Sequence, residues 1–203
     1  MMMRQRLCTV AVAMLFCAQP AAAQSLAADV HFSIARLDVG LEPQNDYGIG
    51  GRLTWQPSSL IGLDANLVWY PGGFPPDTNL AISDQRFEGF FGATIGPRLG
   101  AVRPFAKAAA GFLVVSGSSE PRACITIFPP PISCTLAAGA TLPAYEIGGG
   151  LEVDATAKLF LRGDIAARFL KYPGPSLDAA FQVRDSDYFE HGLRVTLGAG
   201  VRF

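Results

Sequence analysis

Past its first two dozen residues the chain has no long apolar run, and throughout it has few charges, few cysteines and almost no histidine. A membrane-spanning helix needs about 20 consecutive apolar residues. No such run follows Ala23, so no helical span is expected there. With 2 histidines (His31 and His191) and 4 cysteines, the chain lacks the clustered ligands of a zinc site, and neither metal nor cofactor is expected. Charged residues make up only 16% of the chain, 16 basic against 17 acidic. No concentrated basic patch exists to mark a nucleic-acid partner. The runs Gly48-Ile49-Gly50-Gly51 and Gly148-Gly149-Gly150 lack a Lys-Ser/Thr partner and a following helix, so they are not phosphate loops.

The N-terminus reads as an export signal. Arg4 and Arg6 form a basic segment, Leu7 to Ala18 a short apolar one, and Ala21-Ala22-Ala23 a cleavage site. Residues 1–23 are therefore expected to be a signal peptide, with Gln24 starting a single domain, 24–203. Bulky Leu15 and Phe16 before Cys17 argue against lipidation. Removing two arginines takes the balance from 16 against 17 to 14 against 17, a net charge of −3.

What the chain does have is 50% hydrophobic residues dispersed at alternate positions. The last segment shows it best. Leu193, Val195, Leu197, Ala199, Val201 and Phe203 alternate with Gly192, Arg194, Thr196, Gly198, Gly200 and Arg202. Period two specifies a strand with one apolar and one polar face. The same alternation runs through Tyr47–Trp55, Ile61–Tyr70, Arg86–Ile95, Ala106–Val114, Tyr145–Val153 and Leu159–Phe169. An eighth strand is expected over Asp29–Val39, with a β-bulge near Ala35 because Arg36 falls on the apolar parity. In the seven regular strands no Asp, Glu, Lys or Arg lies on the apolar parity, whereas the polar parity mixes charge with glycine. Glycine is in demand where strands bend around a narrow interior.

Connections alternate in length. Pro57–Ser59, Pro97–Val102 and Asp154–Ala157 are tight; Pro71–Ser83, Gly117–Gly139 and Lys171–Glu190 are long. Aromatics gather at both strand ends, with Trp55, Phe105, Phe160 and Phe203 at the turn side and Trp69, Tyr70, Phe87, Tyr145 and Phe169 at the loop side, which predicts two interfacial girdles. Together with Arg103-Pro104-Phe105-Ala106-Lys107 and the ending Leu197-Gly198-Ala199-Gly200-Val201-Arg202-Phe203, these features resemble the small outer-membrane β-barrels typified by the OmpA membrane domain and OmpX. The resemblance implies an all-β, eight-stranded antiparallel up-and-down transmembrane β-barrel with short periplasmic turns and long extracellular loops. It also implies that Phe203 belongs to the assembly signal, and that outer-membrane lipid, lipopolysaccharide and the barrel assembly machinery are partners. No peptidoglycan-binding domain follows the barrel, so tethering to the cell wall is not expected.

Eight strands enclose an interior that side chains can fill. The inward polar set is expected to be Arg52, Asp64, Arg86, Glu88, Lys107, Glu146, Glu152, Arg162, Asp164, Arg168 and Arg194, paired across strands because an unpaired buried charge is costly. Cys124 and Cys134 flank an apolar tip, Ile125–Pro131. An exported location favours a disulfide between them, and the tip is a candidate contact for a surface partner. Some barrels of this type act on lipid A through a histidine near serine and acidic residues. Here Glu190 and His191 are adjacent, so on a strand they point to opposite sides and make a poor dyad. The reading is a non-enzymatic envelope or surface-interaction protein. Its alternatives are a narrow pore for ions or small solutes and a soluble barrel holding an apolar ligand inside. If Phe203 carries the assembly signal, deleting it impairs outer-membrane insertion in cells more than it lowers the urea midpoint of the refolded barrel. Normal insertion of the shortened chain would overturn this.

Overall fold

The computed structural model describes residues 25–37, 44–71, 85–116, 127–178 and 182–203. The expected signal peptide, Val39 and Cys124 lie outside the described residues. Eight antiparallel strands close into a barrel: β1 (Ser25–Leu37), β2 (Gln44–Gln56), β3 (Ile61–Tyr70), β4 (Arg86–Ile95), β5 (Val102–Val115), β6 (Ala140–Asp154), β7 (Leu159–Tyr172) and β10 (Tyr188–Arg202). Each pairs with its neighbour in sequence, and β10 meets β1 at the seam, Val30 opposite Ala199 and Phe32 opposite Leu197. The helix α1 (Ile132–Ala137) lies in the connection between β5 and β6. A small two-stranded sheet of β8 (Ser176–Leu177) and β9 (Val183–Arg184) lies between β7 and β10.

The period-two pattern decides which side of the wall each residue occupies. Val30, Phe91, Ile147 and Leu197 face outward, each at least 60% exposed. Arg52, Glu88, Arg168 and Arg194 face inward and are buried. Apolar side chains thus clothe the outside and charged ones fill the inside, the reverse of a soluble barrel that carries an apolar ligand. No helix among the described residues is long and apolar enough to cross a membrane, a criterion that does not apply to strands.

The first strand corrects the sequence reading. It begins at Ser25, and its pairing with β2 runs without interruption from Ser25–Gln56 to Leu37–Gln44. No bulge occurs at Ala35, which is paired on both sides, with Asp46 and with Arg194. Asp29, His31, Ser33 and Ala35 all face inward, and Arg36 keeps the outward parity at the loop-side end of the strand. The alternation was intact; a charge beyond the apolar band imitated a break in it.

The turns have local causes. Ser58 Oγ accepts the amide protons of Leu60 and Ile61 at 3.3 and 3.0 Å, and Thr156 Oγ1 those of Lys158 and Leu159 at 3.3 and 3.0 Å. Hydroxyls that close on backbone two or three residues ahead favour tight turns. Between β4 and β5, Leu99 and Val102 exchange backbone bonds of 2.7 and 3.2 Å around Gly100, whose φ of +66° suits glycine. Inside the wall, a Cβ at Gly48 would sit 2.7 Å from the Tyr70 ring and one at Gly50 2.6 Å from His31 Nε2. These glycines make room for side chains crossing a narrow lumen.

Two aromatic assignments change with the fold. Trp55, Trp69, Phe87, Tyr145, Phe169 and Phe203 do face outward near the strand ends. Phe105, Phe160 and Tyr70 are instead buried in the lumen, 6%, 2% and 2% exposed. They occupy the polar parity, and polar partners hold them there: the Arg162 guanidinium lies 4.3 Å above the Phe105 ring and that of Arg202 5.3 Å above Phe160. Leu197, 68% exposed on β10, tests the outward assignment. Leu197→Arg should destabilise the bilayer-reconstituted barrel by roughly 2–4 kcal/mol in reversible denaturant unfolding, and Phe189→Arg, nearer the loop end, by about 1 kcal/mol or less.

Candidate functional site

Among the described residues the fold gathers buried polar chemistry in the lumen, and it does so in three layers. At the loop side, Glu88 is fully buried. It takes an ion pair from Arg168 and another from Arg194 (Nη1–Oε2 3.3 Å), while the Tyr70 hydroxyl donates to it at 3.0 Å. Tyr70 also shares a 3.0 Å hydrogen bond with Ser33. Arg194 grips Glu146 through two nitrogens at 2.7 and 2.8 Å and lies 4.8 Å above the Phe90 ring. Arg86 pairs with Asp46 across to β2. These pairs join three cations to three carboxylates, and Glu190 lies on the same inward parity above them.

The middle layer centres on Asp164. Arg52 reaches it at 3.1 Å, Thr196 donates at 2.7 Å and Lys107 forms an ion pair. Lys107 also bridges up to Glu146 at 3.3 Å, joining the two layers. Arg162 meets Asp64 at 2.5 Å, and Asp29 binds His31 Nδ1 at 3.0 Å with Arg52 at 3.8 Å. Arg52, Lys107 and Arg162 balance Asp29, Asp64 and Asp164. At the turn side, Arg98 and Arg202 clamp Glu152 at 3.2 and 2.5 Å and Asp154 at 2.5 and 2.9 Å. Arg103 completes this layer.

All eleven inward residues named from the sequence are buried in the lumen. The fold adds others that the sequence reading left out: Asp29, His31, Asp46, Arg98, Arg103, Asp154 and Arg202. Asp29, His31 and Ser33 share one parity of β1, and Arg103 shares that of Lys107, so parity alone could have found them. Arg98 sits in a turn, and only the closed barrel brings it to Glu152. His191 is exposed and outward on β10, and Glu190 lies on the opposite, inward parity. No cluster of three or more His, Cys, Asp or Glu suited to a metal occurs among the described residues.

Two features limit passage through this lumen. A cavity of about 20 Å³, lined by Arg52, Asp64, Lys107, Glu146, Arg162 and Arg194, lies within the polar layers; it has room for about one water. Above the loop-side layer, α1 folds into the barrel mouth. Its Ile132 and Leu136, 5% and 3% exposed, pack on inward Leu113, Val115, Leu142, Leu170 and Tyr172. Burying each such side chain contributes roughly 1.5–3 kcal/mol, which holds the short helix where six residues alone would not be stable. Cys134 lies on this helix; Phe203 lies at the turn-side rim, its amide donating to Leu26 at 2.8 Å.

Glu88 accepts two arginines and a tyrosine in a dry layer. Removing one partner of a buried pair typically costs about 3–5 kcal/mol because the other charge is stranded. Glu88→Ala should therefore lower stability by several kcal/mol in urea unfolding, on the order of that range. Lys171→Ala, which breaks the exposed Lys171–Asp187 pair of 2.7 Å, should leave the unfolding midpoint nearly unchanged.

No protein-family model matches the chain, and no curated protein matches its sequence. Its structure does match solved ones. Neisserial surface protein A aligns with a TM-score of 0.54 at 12% identity, over 91% of this chain and 98% of that one. The N-terminal β-barrel domain of Pseudomonas aeruginosa OprF aligns with a TM-score of 0.52 at 11% identity, over 89% and 98%. At such identities the likeness is one of fold. The chain is an eight-stranded closed antiparallel β-barrel of the kind found among small outer-membrane barrels.

Proposed function

We propose that the protein is a non-enzymatic integral β-barrel of the bacterial outer membrane, closed to solutes, that serves envelope integrity or surface contact through its wall and loops. The observation that carries this reading is the inverted wall, with Val30, Phe91, Ile147 and Leu197 outward and paired charges inward. Such a surface is stable against hydrocarbon, and the cavity between the loop-side and middle layers has room for about one water. Residues 1–23 serve as the export signal of the domain 24–203, Phe203 contributes to assembly by the barrel machinery, and lipid and lipopolysaccharide contact the outer wall. In the loop between β5 and β6, a Cys124–Cys134 disulfide staples the segment leading into α1. Ile127 and Phe128, 45% and 86% exposed, support this loop as the face that meets a surface partner.

Cell fractionation with planar-bilayer recording tests both halves of the proposal. The protein should partition into the detergent-extracted outer-membrane fraction and give rare or no conductance steps. Recovery in the soluble periplasm would overturn the membrane assignment. Steady conductance by the intact barrel would overturn the closed lumen in favour of a narrow pore.

A further inference from the structure

The turn-side layer differs from the other two in its charge balance. The ion pairs named in the loop-side and middle layers each match three cations with three carboxylates, whereas the pairs of the turn-side layer join Arg98 and Arg202 to Glu152 and Asp154 and leave Arg103 outside them. The surplus resides on Arg103. It is 1% exposed, its Nε donates to the Gly96 carbonyl at 3.4 Å, and neither Nη1 nor Nη2 has a hydrogen-bond partner. Glu152 stands directly opposite Arg103 in the β5–β6 register, yet Arg98 and Arg202 already hold it. Asp64 is held by Arg162 through Oδ2 alone, and neither its Oδ1 nor Arg103 makes a hydrogen bond to the other.

The surroundings of that guanidinium are built from donors and a missing side chain. Arg103 reaches across β4 to β3, where a Cβ on Gly62 would lie 3.5 Å from Nη2 and 2.6 Å from Thr94 Oγ1. The β2–β3 register, Trp55 opposite Leu63, carries Gln56 alongside Gly62. Gln56 is buried, and its Nε2 is a second donor with no partner. The layer reaches solvent at the turn side through Arg98, whose side chain is 28% exposed.

From this arrangement we infer that the turn-side end of the lumen is a binding site for a small oxyanion, held by the two free nitrogens of Arg103 with Gln56 Nε2 beside them. A planar guanidinium with two unengaged N–H groups on one edge matches the paired oxygens of a phosphoryl or carboxyl group. One negative charge there would bring the layer to the balance of the other two. The site is independent of the closed middle layers, since its ligand arrives from the turn side without crossing them.

The test is isothermal titration of inorganic phosphate, and separately of acetate, into the full-length barrel folded in uncharged detergent. Saturable binding of one anion per chain is expected, weakened at least tenfold in Arg103→Gln and partly restored in Arg103→Lys. Gly62→Ala places a methyl 3.5 Å from Nη2 and makes the Thr94 side chain shift while keeping the charge of Arg103, and should weaken binding severalfold even if Arg103→Gln does not fold. Lys171→Gln, at the opposite end, should bind as the parent does. Binding of phosphate alone assigns a phosphoryl ligand, and binding of acetate as well assigns oxyanions in general. No saturable binding of either anion, or unchanged binding in both Arg103→Gln and Gly62→Ala, would overturn the site.

Discussion

Everything in this molecule depends on where charge is allowed. The wall is one residue thick, so each strand position must face either outward or into a bore that side chains fill. The outward face of the wall carries apolar side chains in place of charge. Inward charge is cut off from bulk water, and it is stable only when paired and hydrogen-bonded. The result is a lumen in which strands far apart in sequence must supply opposite charges at one height. Asp164 on β7 with Arg52 on β2, and Glu88 on β4 with Arg168 on β7, are such contacts. A strand displaced by one residue would turn its charges onto the apolar outer face, so the same constraint that fills the bore also protects register.

The two ends of the lumen are finished differently. At the loop side the inward parity becomes apolar through Leu113, Val115, Leu142 and Leu170, and α1 returns into the mouth to cover it. At the turn side the layer stays charged and partly solvated, with Arg98 brought in from outside the strands. An apolar plug and a cationic rim give the barrel a direction beyond that of its strands.

Much of this was legible in the residues. The regular strands could be followed by parity alone because outward exclusion of charge leaves an unbroken period-two record. Parity also nominated the eleven inward charges. It misled where a residue is long or amphipathic. Arg36, beyond the apolar band, imitates a bulge, and Phe105, Phe160 and Tyr70 read as girdle residues because an aromatic ring suits either an interface or a cation. Tyr70 resolves inward because its hydroxyl has Glu88 and Ser33 to bond, and Phe105 because Arg162 lies over its ring.

The sequence by itself determined the alternation, the parity that bears charge and the unequal connections, since these are local and each residue carries its own preference for water or hydrocarbon. Only the tertiary structure decided which charges meet, that α1 stops the mouth, and that Arg103 is left with unengaged nitrogens. Those outcomes depend on the height at which distant strands bring their side chains together. That height is set by closure of the barrel from β10 to β1, and no single segment encodes it.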